Sequence, residues 1–77
     1  MTPLYMFGVS TRRPSRRAAR KMQLIAQRHD ADLIEADMPD GYRRWYQTRD
    51  YGWGSNQATE RAVRADLEGA GLAEVRS

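Results

Sequence analysis

The chain has no cysteine, which removes disulfides and thiolate metal ligands as ways of holding a small fold together. Its one histidine, His29, leaves acid–base catalysis little to work with and gives no HxxxH spacing for zinc. No Ser-His-Asp or Cys-His set can be assembled around it. Lysine is nearly missing too, with Lys21 alone among 13 basic residues. The longest apolar stretch, Leu4 to Val9, is far short of the roughly 20 residues that span a bilayer. No basic segment precedes it and no small-residue cleavage site follows it. These absences predict a soluble, cytoplasmic, non-enzymatic protein with no cofactor, no bound metal and no membrane association.

What is present is arginine, and its placement says more than its number. An Arg- and Ala-rich composition is what a GC-rich genome produces, whereas guanidinium groups also fork onto carboxylate or phosphate. Charge is segregated along the chain. Residues 1–29 hold seven basic groups and no acid, and residues 30–40 hold five acids and no base. Three arginines follow in 41–49, then five acids and three arginines to the end, for a net charge of +3. Such arms either neutralise one another inside the fold or make a dipolar surface that steers a partner. At 77 residues the chain reads as one domain, 1–77. A domain this size buries only about 60–65% of its unfolded surface, so its core is thin.

The element order is legible. Leu4-Tyr5-Met6-Phe7-Gly8-Val9 reads as a first strand, and its two apolar faces predict a central one. From Ser15 to Arg28, Ala18, Met22, Ile25 and His29 recur on one helical stripe, with Pro14 expected in the first turn. Asp32 to Met38 reads as a second strand with Ile34, Ala36 and Met38 on one side. Pro39-Asp40-Gly41 is a strong turn signal and predicts a hairpin into a third strand over Tyr42–Thr48. Tyr51 to Ser55 reads as a loop, and a second helix is expected from an Asn56 cap to about Glu68. That helix is expected to bury Thr59, Ala62, Val63, Leu67 and Ala70, with ion pairs Glu60–Arg64 and Arg64–Glu68 on its surface. Leu72 to Arg76 offers a further short edge strand.

The resulting β-α-β-β-α(-β) order predicts an α+β class, a small two-layer domain of the ferredoxin-like split βαβ arrangement. Two helices then lie on one face of a mainly antiparallel sheet. The first strand and the Arg-rich helix resemble the opening of small ferredoxin-like metal nucleases of the CRISPR-associated type. Those enzymes place an aspartate at the end of strand one, where this chain has Val9-Ser10-Thr11. The resemblance therefore stops where the chemistry would begin.

Two constellations stand out. The first is a basic face on helix one, Arg13, Arg16, Arg17 and Arg20, suited to phosphates or an acidic partner and equally to plain solvation. The second is the aromatic-arginine hairpin and loop, Tyr42, Arg43, Arg44, Trp45, Tyr46, Arg49, Tyr51 and Trp53. Five of the seven aromatic residues lie in this stretch. Tyr, Trp and Arg dominate binding hot spots, and aromatics stack on bases, but they are also what a thin core is made of. Strand alternation puts one of Trp45 and Tyr46 in the core and the other outside. Asp37 and Asp40 are expected to pair with Arg43 or Arg44 across the turn, and His29 to pack or to cap the helix dipole.

The reading that follows is a small accessory or regulatory binding protein, of a type common among phage and mobile-element proteins of high-GC bacteria. It engages a protein partner through the hairpin and loop. A nucleic-acid binder using the helix-one arginines together with the hairpin aromatics is the alternative. A homodimer through the sheet face or the edge strand is compatible with either.

Overall fold

A computed structural model describes residues 3–72. The order is β1 (Leu4–Ser10), α1 (Arg16–Arg28), β2 (Asp32–Met38), β3 (Gly41–Arg49) and α2 (Trp53–Gly69). The three strands form one antiparallel sheet in the order β1-β3-β2. Its radius of gyration, 12.4 Å, is that of a compact domain. The expected terminal strand over Leu72–Arg76 lies almost wholly outside the described residues. Among the described residues no helix is long and apolar enough to cross a membrane.

Each strand forms where apolar and β-branched residues gather, and each turn where the backbone needs special residues. Pro39 and Asp40 make the two-residue connection between β2 and β3, with Met38 opposite Gly41. Gly41 enters β3 at φ +128°, a backbone setting that other residues reach only with strain. Ser15 caps α1, its hydroxyl accepting from the Ala18 N–H at 3.1 Å. Pro14 therefore precedes the cap rather than sitting in the first turn.

Both helices cover the same side of the sheet. Phe7, Tyr46, Met22, Ile25, Ala26, Ala31, Val63 and Leu67 are buried together, with Tyr5, Ala18, Leu33 and Leu72 packed around them. Tyr46 stacks on Phe7, their ring centroids 5.4 Å apart, and Phe7 meets Tyr5 at 5.8 Å. The helices are also tied at one end. Asp66 of α2 receives the Arg28 guanidinium at 3.2 Å, and a 2.7 Å hydrogen bond joins it to His29 Nε2. His29 is thus a bridge between helices. The Thr48 hydroxyl donates to the Asp30 carbonyl at 3.1 Å, anchoring the end of α1 to the central strand.

Several sequence expectations are corrected. Among the described residues β1 pairs with β3 alone, so β3 is the central strand. Both faces of β1 are apolar because the sheet's uncovered side is itself apolar. Helix α2 starts at Trp53 after Gly52, not at Asn56. Asn56 is buried within the first turn, where its Oδ1 accepts from the Tyr51 N–H and its Nδ2 donates to Asp50. It fastens the loop before the helix instead of capping it. Ala70 is exposed, because the helix has ended and the chain is turning away. Arg64 pairs with Glu60; among the described residues it makes no pair with Glu68. Asp40 does pair with Arg43, at 2.7 Å, whereas Asp37 reaches across to Arg13 at 2.6 Å.

One irregularity sets the geometry of β1. Phe7 lies opposite Tyr46 and Ser10 opposite Arg44, so Gly8 and Val9 together oppose Trp45. This is a β-bulge with a left-handed glycine, φ +66°, at its first position. It lets Phe7 and Ser10, three residues apart, both face the helices, and it turns Val9 to the other side. A Cβ at Gly8 would come within 3.0 Å of the Tyr46 ring.

Gly8→Ala is therefore expected to destabilise the domain by roughly 1–3 kcal/mol through backbone strain and the clash with Tyr46. Thermal unfolding measures this as a fall in Tm. The His29–Asp66 bond makes a second expectation. It is the chief cause holding the Asp66 carboxyl below its ordinary pKa, with the Arg28 charge adding to it. A depressed carboxyl stabilises the fold above its unfolded pKa, and the contribution is lost as pH falls through the folded one. Asp66→Asn should flatten the acid limb of the stability–pH curve, and an unchanged limb would contradict this.

Candidate functional site

Strand alternation divides the aromatic-arginine hairpin. Because Tyr46 stacks inward on Phe7, its even-numbered neighbours Tyr42, Arg44 and Thr48 also face the helices. Arg43, Trp45 and Gln47 face the other way. Tyr46 is the core member of the Trp45–Tyr46 pair, at 3% exposure. Trp45 is half-buried on the uncovered face, its indole N–H donating to Gln47 Oε1 at 3.4 Å.

The uncovered face is apolar on both edge strands and at Trp45 between them, while Arg43, Gln47 and Arg49 of β3 share it. β1 contributes Leu4, Met6 and Val9, and β2 contributes Ile34, Ala36 and Met38. Trp45 lies between them, directly opposite Ile34. Met6 is 57% exposed and Val9 67%. A sheet covered on one side ordinarily alternates apolar-in and polar-out. β2 does the reverse over most of its length: past Leu33 its helix-side residues are Glu35 and Asp37, while Ile34, Ala36 and Met38 point to solvent. Sequence reasoning grouped these three on one side but did not see that the helices would cover the other.

The inverted acids serve a polar corner between the N-terminal end of α1 and the sheet. The Tyr42 hydroxyl donates to Glu35 at 2.6 Å, and the Arg13 guanidinium lies 4.4 Å over the Tyr42 ring while pairing with Asp37. Arg44, buried at 4% exposure, sits opposite Glu35 and Ser10 in register. It donates to the Arg12 carbonyl at 3.2 Å. The Ser10 hydroxyl accepts from the Arg12 N–H. Burial, and then the bond to Glu35, push the Tyr42 phenol up to about 12.

The remaining predicted residues lie elsewhere. Tyr51 and Trp53 are exposed, Trp53 at 78%, near the C-terminal end of α1, where the Tyr51 hydroxyl approaches Asp30. Arg49 is exposed at the end of β3. Arg16, Arg17 and Arg20 stand exposed on α1, on the opposite side of the sheet from Trp45. The eight predicted hairpin and loop residues are thus distributed over three places. The signal that separates them, inward against outward on β3, needs Tyr46 to be identified as core first.

A shallow hollow on α2, lined by Gln57, Glu60, Arg61 and Arg64, measures about 240 Å³, below the usual range of ligand pockets. Its Glu60 is already engaged by Tyr5 and Arg64. Among the described residues no group of three or more His, Cys, Asp or Glu side chains gathers to hold a metal.

Fold and surface together define a small α+β domain, with two helices on one side of a three-stranded antiparallel sheet and an apolar face on the other. No protein-family model, curated protein or solved structure matches the chain.

The corner yields a direct check. In an alkaline ultraviolet titration, the signal lost in Tyr42→Phe should titrate near pH 12, above the ordinary phenol value of about 10. Glu35→Gln should move it down. A phenol raised in the folded state stabilises the fold below its unfolded pKa, and that contribution disappears as pH rises through the folded one. A Tyr42 signal near pH 10 in the folded protein would contradict the corner as described.

Proposed function

We propose that the chain is a small non-enzymatic binding protein, of accessory or regulatory type, that engages a protein partner through the open face of its sheet. We read the β1-β3-β2 order as the ferredoxin-like split βαβ class, which by itself carries no function. The observation that carries the proposal is the run of apolar side chains around Trp45: Leu4, Met6, Val9 and Met38, which are exposed, with Ile34 and Ala36, which are half-buried between them. An aromatic at the centre of an apolar patch is the usual anatomy of a hot spot. An apolar patch of a few hundred Å² is the largest that a typical monomer exposes, and such a patch is often functional.

The occupant this face suits best is the same face of a second copy. Its central side chains carry no charge, and Arg43 is already held by Asp40. The face's other charged residues, Asp32 and Arg49, are exposed together at one end of the sheet, where two copies can leave them in water. A core of eight buried apolar residues among those described is thin and gains from such association. Three strands of seven or more residues make a plate of roughly 14 by 23 Å, about 320 Å² a side, which is below a standard stable interface and in the range of weak, transient ones. The association is accordingly concentration-dependent.

Sedimentation velocity tests it. The wild type should shift from monomer to dimer as concentration rises, and Met6→Asp and Trp45→Ala should each keep it monomeric with an unchanged circular dichroism spectrum. Tyr51→Ala with Trp53→Ala, in the loop beyond the strand, should leave the dimer intact. A wild type that stays monomeric and binds no apolar dye at the sheet face would remove the proposal. Loss of the dimer in the loop variant alone would move the site there.

A further inference from the structure

We propose that the solvent face of α1 is a second, separate binding surface, and that its ligand is the phosphodiester backbone of duplex nucleic acid. Arg16, Arg17, Arg20 and Lys21 are all exposed and fall within one and a half turns, about 8 Å of helix axis. They belong to none of the ion pairs seen among the described residues. Arg12 and Arg13 lead into them.

The fold gains nothing from this arrangement. Arg16 with Arg20, and Arg17 with Lys21, are like charges at i,i+4, which destabilise a helix. Arg16 and Arg17 stand in a first turn that contains no acid, where the helix dipole disfavours cations. A phosphate backbone relieves both penalties, and guanidinium groups fork onto its oxygens.

The acidic run 30–40 does not oppose such a ligand. Asp37 is paired with Arg13 and Asp40 with Arg43, and Glu35 accepts from Tyr42 opposite Arg44. The other two acids, Asp30 and Asp32, follow the far end of α1, which at 13 residues extends about 20 Å. The basic end of the helix is therefore unopposed. Its face carries no aromatic side chain on which an unpaired base could stack. Tyr42, the nearest ring, is covered by Arg13. Backbone contact without base stacking is how a duplex is held regardless of sequence.

This surface lies on the far side of the sheet from Trp45, so its test is independent of the sheet-face proposal. Fluorescence anisotropy with a labelled random-sequence DNA duplex should show binding that weakens with salt. The slope is about −0.9 per phosphate neutralised, or roughly −3 to −4 for these four cations. Two variants of equal net charge decide the location. Arg17→Gln with Arg20→Gln should reduce affinity about tenfold or more and shorten the slope by about two contacts. Arg49→Gln with Arg61→Gln, on β3 and α2, should leave both near wild type. Glutamine is a good helix former, so the α1 variant keeps its fold. No binding at low salt, or equal weakening by both variants, would overturn the proposal. Binding of polyglutamate as tight as that of the duplex would overturn it as well, since carboxylates would then suffice.

Discussion

The stacking of Tyr46 on Phe7 is the contact on which the rest of the arrangement depends. It joins the central strand to β1 at the level where Met22, Ile25, Val63 and Leu67 descend from the two helices. Once Tyr46 points inward, the period of two in β3 leaves no freedom. Tyr42, Arg44 and Thr48 go with it, and Arg43, Trp45 and Gln47 go to the other face. The Gly8 bulge is the local adjustment that lets β1 follow. Without the extra residue, Ser10 would rotate to the open side and lose its place beside Arg44. A thin core has few such fixed points, and here one aromatic pair determines which chemistry appears on which surface.

That dependence explains what could be read from the residues. The strand at Asp32–Met38 and the helix over Arg16–Arg28 were legible because their signals are local: a turn at Pro39-Asp40-Gly41 and a stripe of Ala18, Met22 and Ile25. The cap at Ser15 was not legible, since Pro14 looked like a first-turn residue. The central position of β3 was not, because strand order is a long-range property and two apolar faces on β1 fit a middle strand as well as an edge beside an uncovered face. The role of Asn56 was hidden for a related reason. An asparagine before a periodic segment looks like a cap, and only the folded loop shows it holding Asp50 and Tyr51 from inside the helix. The hairpin aromatics looked like one patch because they are neighbours in sequence, yet neighbours on a strand point in opposite directions.

Charge shows the same redistribution. The chain places its acids in one run after a basic arm, and the fold divides that run by alternation. Glu35 and Asp37 lie on the helix side of β2, exposed near the start of α1, where Tyr42 and Arg13 engage them, while Ile34, Ala36 and Met38 take the other side. A strand that sends its carboxylates toward the helices and its aliphatic groups outward gives up burial it could have had on the covered face. Two consequences follow from that one inversion: the open face gains its aliphatic groups, and the acids on the helix side are taken up by Arg13 and Tyr42.

The two surfaces so produced differ in kind and lie on opposite sides of the sheet. The sheet separates Trp45 from Arg17 and Arg20, so a nucleic-acid strand stacked on Trp45 would not reach those arginines. If two copies meet through their sheets, their α1 helices lie on the outer sides of the pair, facing away from one another. Each basic face then remains open, and self-association brings two of them into one particle. A weak phosphate contact made twice is held far longer than one made once, provided both reach the same duplex or two duplexes side by side. The apolar face and the basic face are thus coupled through symmetry alone, with no contact between them in the single chain.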